Sequence, residues 1–550
     1  MLKRKYAHWV LLLLVAAVAA FIRLYRLHQI PPGVNRDEAS IGYTAYSLLK
    51  TGKDEYGRPY PLSFESFGDW KLPFYIYETI PFIKLFGLTE LSVRLPSAMA
   101  GIITVVMTFF LVRQLFSGII VSEVLPLLSA FFLAISPWSV HLSRVGSESN
   151  TAVLMVTIAV FLWLKALRGK SIYFIFSFPL LSLTFFTYAG NHIFSSLLFF
   201  GLIVLSRKSI RSDKYALIGI GIFAFFLIII FSQTLFSADK IKISGISIFG
   251  DPAIIHSAIE LPRVQHSNPS SLYVRLVHNR ITFAGETIFR NYIKAFSPEF
   301  LFIRGGTNHA HNIENFGNLY LAEVPFFYLG IVVLLLNRKK FPFNLLLWWL
   351  AIAPVAASIT KDAPHTTRMF AIYPLPPVLC ALGLLWIKDQ IYNKVLKKIT
   401  IIGIMILYSV SILIYLDRYF IHFPMNESAN WGVGFEKLTR LLNSTEYKDK
   451  KVIISRPEIS PYIYLLFYSR YNPALYQLEA KRYPQTSDGF THVAGFGRFE
   501  FRDINWDMDI YKTGTILVDI IDPQRPSIYH GANIISQPNG LPYIQIVSTK

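Results

Sequence analysis

A chain of 550 residues that is 53% hydrophobic, 15% aromatic and only 16% charged is too apolar for an ordinary soluble protein. The formal net charge of +19 does not point to nucleic acid, because Lys and Arg fall in short clusters between apolar runs rather than along one basic face. The single cysteine, Cys380, lies inside an apolar run, which excludes a disulfide framework and argues against redox chemistry.

The first apolar run, residues 8–24, follows Lys3, Arg4 and Lys5 and has small residues near Ala20, as a cleavable leader would. The many apolar segments behind it favour a retained span. Further segments of spanning or near-spanning length lie at 92–112, 124–141, 149–167, 171–188, 190–206, 215–236, 320–336, 342–359, 369–387 and 399–416. The reading is about eleven transmembrane helices. With the N-terminus inside, each inner loop is basic: Arg113; Lys165, Arg168 and Lys170; Arg207, Lys208, Arg211 and Lys214; Arg338, Lys339 and Lys340; Lys388, Lys394, Lys397 and Lys398.

That sidedness puts the N-terminus in the cytoplasm and three long regions outside, at 25–91, 237–319 and 417–550. The last loses the spanning runs and shows short apolar strands, KVIIS at 451 and GTILVDII at 514, with turn signals such as Asn472-Pro473. It reads as a small extracytoplasmic α/β domain. The expected division is a membrane domain over 1–420 and this outer domain over 421–550.

Chemistry is expected in the outer loops. The first reads GVNRDEASIGYTAYSLLKTGKDEYGRPYPLSFESFGDWKLPFYIY and places Asp37 and Glu38 just beyond a span, where acidic groups are costly unless they serve a site or a partner. Two readings stand side by side: Asn35 or Asp37 caps an interfacial helix through 39–49, or one carboxylate of the pair faces a reacting group. Downstream, Asp69 and Lys71 precede Pro73, and Lys71 suits either a phosphate or an interfacial snorkelling role. Arg94 in RLPSA sits at the outer end of the second span. Arg144 and Glu148, in SPWSVHLSRVGSESN, have the spacing of one helix face, for which an intrahelical ion pair is the plain alternative. Later outer segments add Tyr188, Asn191 and His192, then His309, His311 and Glu314, then His365 and Arg368. The His309/His311 spacing matches no strong zinc pattern, so a divalent metal is left open and a solvated loop is the simpler reading. The sequence contains neither a GxxxxGK[ST] phosphate loop nor a dinucleotide fingerprint.

The acidic pair in NRDEA, the DWKLPFY segment, RLPSA, SPWSVHLSR with Glu148, and the His-Thr-Thr-Arg turn before Pro374, Pro376 and Pro377 together resemble the protein O-mannosyltransferase and lipid A aminoarabinose transferase superfamily, over about residues 8–420. The resemblance implies a GT-C membrane fold in the inner (plasma) membrane and transfer of a sugar from a polyprenyl-phosphate carrier to a protein, lipid or glycan hydroxyl. It implies a catalytic role for Asp37, with Glu38 beside it, and phosphate-gripping roles for Arg94, Arg144 and Arg368. Asp69 stands near a second acidic position that, in the aminoarabinose transferases, is a glutamate followed directly by Lys-Pro. Trp70 and Leu72 interrupt that match here. The WWDYG-type signature of oligosaccharyltransferases is absent.

A carrier phosphate leaves as an anion without needing a proton, so what remains is activation of the acceptor hydroxyl and neutralisation of the phosphate. One in-line displacement would invert the anomeric carbon. The rival from another class is a transporter or flippase of lipid-linked sugars, which would place polar residues and broken helices at the midplane in two related halves. No halves are visible and the charges collect at one face. A silent scaffold presenting the tail leaves the polar outer loops unexplained.

Overall fold

The computed structural model describes residues 6–119, 122–236, 248, 252–308, 310–486, 489–522 and 527–549. Helices coincide with every apolar segment read from the sequence. Among the described residues seven are long and apolar enough to cross a membrane, and up to nine if each of two bent pairs is one span. Two shorter apolar helical stretches, Ser171–Phe186 and Leu321–Leu336, complete the set. The chain is thus a helical polytopic membrane protein, as its apolar patterning requires.

The chain divides into two compact units: residues 1–23, 97–143 and 147–415 form the first, and 24–96, 144–146 and 416–550 the second. The first unit holds most of the helices. Its bends sit at prolines, which remove a backbone donor and crowd the preceding turn. Val124–Ile135 meets Pro137–Arg144 at 55°, and Thr366–Ile372 meets Leu375–Gln390 at 56°. Ser136 and Tyr373, one from each break, share a 2.6 Å hydrogen bond. Arg23, at the end of the first span, is fully buried, and its cost in an apolar setting is offset by donation to the carbonyls of Leu133 and Ala134 and the hydroxyls of Ser139 and Ser143.

The second unit is built on a seven-stranded sheet. Its strands are β3 (Lys451–Ile454), β4 (Lys481–Arg482), β5 (Val493–Phe496), β6 (Phe499–Phe501), β7 (Thr515–Ile520), β8 (Asn533–Ser536) and β9 (Pro542–Ser548), in the order β4-β5-β6-β3-β7-β9-β8. β3 is parallel to β6 and β7, and the remaining pairs are antiparallel. Alternation along β3 and β7 divides their side chains between two faces. Val452, Ile454, Ile516 and Val518 enter one core, while Ile453 and Leu517 enter a smaller one near Trp506 and Ile510.

The larger core also takes Ala39, Ile41, Tyr43 and Leu48 from the helix Arg36–Thr51. The first loop therefore folds with the tail. That helix begins with a capping box in which Asn35 accepts from the Glu38 N–H at 2.8 Å and Glu38 accepts from the Asn35 N–H at 3.3 Å. The cap expected at Asn35 or Asp37 is Asn35, which leaves Asp37 in the first turn with its side chain outside the cap.

Between this helix and Pro73–Phe86 lies a hairpin of β1 (Phe64–Ser66) and β2 (Asp69–Lys71). Its two-residue turn has φ of 60° at Phe67 and 85° at Gly68, the left-handed pair that matches strand twist. A Cβ at Gly68 would lie 2.2 Å from the carbonyl oxygen of Gly489. Gly68→Ala is therefore expected to cost roughly 2 kcal/mol or more, read as a fall in the thermal unfolding midpoint. An unchanged midpoint would mean that the hairpin does not depend on this close approach.

Candidate functional site

The hairpin carries Lys71 and the capped helix carries Asp37, and the Ser40 and Ser66 hydroxyls, 2.5 Å apart, tie the two elements together. Lys71 Nζ donates to Asp37 Oδ1 at 2.9 Å. The two partners differ in setting: the Lys71 side chain is 9% exposed and that of Asp37 is 62% exposed. Lys71 also lies over the Phe67 ring at 5.3 Å, and the Arg36 guanidinium covers the same ring at 4.7 Å. An accessible carboxylate is thus held against a nearly buried cation. Asp69 is half-buried and accepts from the Trp70 N–H at 2.8 Å, beside this pair in sequence.

Glu38, one residue after Asp37, is fully buried. Arg94 engages it twice, Nε to Oε1 at 3.0 Å and Nη2 to Oε2 at 2.9 Å, and the Gly146 N–H reaches Oε1 at 2.8 Å. The remaining Arg94 donors go to the carbonyls of Leu27 (3.1 Å), Pro31 (2.8 Å) and Gly33. A guanidinium has five N–H groups, and all five are used. In this structure Arg94, expected to grip a carrier phosphate, closes instead on Glu38 and three backbone carbonyls. Glu38, expected beside Asp37 in the chemistry, has its buried carboxylate engaged by Arg94, Gly146 and the cap.

Arg144 is also fully buried, with its guanidinium 4.9 Å over the Phe420 ring and Nη2 donating to the carbonyls of Tyr25 and Ile30 at 2.8 Å each. Arg144, expected to grip the phosphate, is thus buried against carbonyls and a ring in this structure. Arg144 and Glu148 do not share a helix face, because the helix Pro137–Arg144 ends at the arginine and the next begins at Glu148. The intervening Gly146 turns its N–H to Glu38.

The first unit brings together a second group of the expected residues. Arg368 pairs with Asp362 and donates to Thr360 Oγ1 at 2.9 Å. The His365 Nε2 lies 3.7 Å from Asp362, and its ring centroid is 5.2 Å from that of His311. Burial, with Arg368 and His311 adding to it, pushes the His365 imidazolium down to about 3, so the ring is neutral at neutral pH. Burial raises Tyr188, whose field includes Arg368, Glu148 and Asp362. Tyr188, Glu148, His311, His365 and Arg368 thus fall in one electrostatic neighbourhood. His192 Nε2 lies 2.7 Å from the Phe185 carbonyl. His309 lies outside the described residues. Among the described residues no group of three His, Cys, Asp or Glu side chains is arranged to hold a metal ion.

Sequence reasoning passed over Asp362, Glu55 and Arg482. Asp362 lies in the KDAPHTTR segment, three residues before a histidine that was singled out. Glu55 and Arg482 carried no local signal that set them apart from neighbouring charges.

Residues 72–231 match the family model described as dolichyl-phosphate-mannose-protein mannosyltransferase. The chain as a whole carries an ArnT-like fold. ArnT from Cupriavidus metallidurans bound to undecaprenyl phosphate is similar over 98% of both chains, with 12% identity and a TM-score of 0.53. The same ArnT in the apo state is similar over 99% of this chain and 98% of its own, with 12% identity and a TM-score of 0.51. The oligosaccharyltransferase AglB from Archaeoglobus fulgidus, with an inhibitory peptide and a dolichol-phosphate, gives 13% identity, a TM-score of 0.49, and coverage of 84% of this chain and 64% of its own. No curated protein sequence matches significantly. The family model, which begins at Leu72 and takes in RLPSA but not NRDEA, and the ArnT-like fold agree with the resemblance read from the sequence.

Proposed function

We propose that this GT-C glycosyltransferase moves a sugar from a polyprenyl-phosphate carrier to a hydroxyl acceptor, a protein, lipid or glycan, at the extracytoplasmic face of the inner membrane. The observation that carries the reading is the Asp37–Lys71 pair, an exposed carboxylate 2.9 Å from a nearly buried ammonium. Undecaprenyl phosphate in the similar ArnT structure supports the carrier class. The acceptor oxygen attacks the anomeric carbon and its proton passes to the Asp37 carboxylate. The bond from that carbon to the phosphate oxygen breaks, and the negative charge on the departing phosphate is met by Lys71. A single displacement inverts the anomeric centre. In the resting state Asp37 and Lys71 satisfy each other, and donor binding draws Lys71 toward the phosphate while freeing Asp37 for the acceptor. Arg368, the least committed of the expected arginines by its partial exposure, is the second candidate for the phosphate, within its Asp362, His365 and Tyr188 neighbourhood.

Purified protein in detergent, given a polyprenyl-phosphate sugar and candidate acceptors, tests the reading, because transfer without two compartments separates an enzyme from a flippase. Lys71→Gln is expected to raise the donor KM roughly ten- to a hundredfold with a smaller change in the acceptor KM. Equal effects on the two would remove Lys71 from the phosphate.

A further inference from the structure

Residues 53–58 of the first loop, Lys-Asp-Glu-Tyr-Gly-Arg, form a tight turn in which Asp54 Oδ1 accepts from the N–H groups of Tyr56 at 2.9 Å and Arg58 at 2.8 Å. The turn buries Glu55 to 1% exposure, and among the described residues neither of its carboxyl oxygens has a hydrogen-bond partner. A structural strut would be paired; a bare buried carboxyl costs stability and calls for another reason to be there.

The groups around it come from the loop itself, three strands and three helices. Arg482 on β4 stacks 4.0 Å over the Tyr56 ring and donates from Nη2 to the Glu55 backbone carbonyl at 3.3 Å. Lys71 on β2, Glu65 on β1 and Asp54 complete the charged field, and the phenols of Tyr43, Tyr56, Tyr462 and Tyr476 face the carboxyl from the loop and three helices. Burial drives the carboxyl up to about 7, against the pull of Arg482 and Lys71, with Asp54 and Glu65 adding to the rise. A packed route also joins the elements: Arg482 on Tyr56, Arg58 over Tyr56 at 5.0 Å and Trp70 at 4.9 Å, and Arg58 paired with Glu65 at 2.6 Å, next to Lys71.

We propose that Glu55 is a positioning residue whose charge sets how firmly Lys71 holds the carrier phosphate, with Arg482 on the C-terminal sheet as its counter-charge. The inference rests on the phosphate role of Lys71 given above. With Glu55 protonated, the Lys71 charge is shared only with Asp37 and is available to the donor. With Glu55 ionised, a second negative charge stands in the same field as Lys71, weakens its net pull and repels the incoming phosphate. Donor binding therefore weakens as pH rises through about 7.

The test uses the full chain in detergent micelles and a polyprenyl-phosphate mannose, whose phosphodiester stays singly ionised across the range. Its dissociation constant is expected to rise roughly three- to tenfold between about pH 6 and about pH 8 in the wild type. Glu55→Gln should bind tightly and without that rise. Arg482→Gln, by removing the charge that favours ionised Glu55, should move the rise to higher pH. A purely structural role would shift the unfolding temperature and leave the pH dependence of binding in place. A flat wild-type profile that still depends on Lys71, or a rise that persists in Glu55→Gln, overturns the inference alone. A probe bound equally by wild type and Lys71→Gln overturns the reading of Lys71 and this inference with it.

Discussion

Replacing Asp37 by asparagine is expected to lower the rate of sugar transfer by roughly 10²- to 10⁴-fold while leaving the protein folded. The carboxylate is 62% exposed, so the substitution empties no core, and the asparagine oxygen still accepts from Lys71. What disappears is the group that takes the acceptor proton. If Asp37 acts as that base, the loss should fall mainly on kcat and be smaller for acceptors whose hydroxyl is more acidic, because such a hydroxyl needs less help to deprotonate. Initial rates at saturating donor, with thermal unfolding measured alongside, separate the two effects. Transfer within about threefold of wild type would remove Asp37 from the chemistry. Asp69→Asn serves as the neighbouring comparison, since Asp69 is half-buried on the hairpin and accepts from its own following residue.

The membrane part of this fold was legible because the bilayer demands it: a run of apolar residues long enough to span leaves a mark in one dimension. The short strands β3 and β7 were legible for a similar reason, as apolar stretches between turns in an otherwise polar tail. The pairing of Asp37 with Lys71, 34 residues apart, was not legible from spacing, because it depends on a hairpin whose turn at Phe67 and Gly68 brings β2 back beside the capped helix. The resemblance singled out both segments without showing that they meet. Burial was the information missing for the arginines. Arg94 at the end of an apolar run looks the same in sequence whether it faces a lipid phosphate or closes around Glu38, and only the count of its five filled donors decides. Glu55 was hidden among the loop's other charges for the same reason.

Arg94→Lys is expected to destabilise the second unit by about 3–5 kcal/mol, the scale of a buried ion pair broken from one side. Lysine offers three donors from one compact ammonium, whereas the site asks for five in a planar fork across Glu38 and the carbonyls of Leu27, Pro31 and Gly33. Several of those acceptors would be left buried and bare. Glu38→Gln should cost less, because glutamine keeps the acceptor for the Gly146 N–H and for one arm of Arg94. A cycle of the two single variants and the double variant should show strong coupling, since each removes the other's partner. Thermal unfolding midpoints in detergent provide the measurement. The same contacts fix the first turn in which Asp37 sits, so a destabilised Arg94 variant should lose transfer in proportion to its loss of folded protein and keep its donor KM. An Arg94→Lys protein that unfolds at the wild-type temperature but binds the carrier poorly would reverse this assignment, moving Arg94 from the frame of the site to its phosphate.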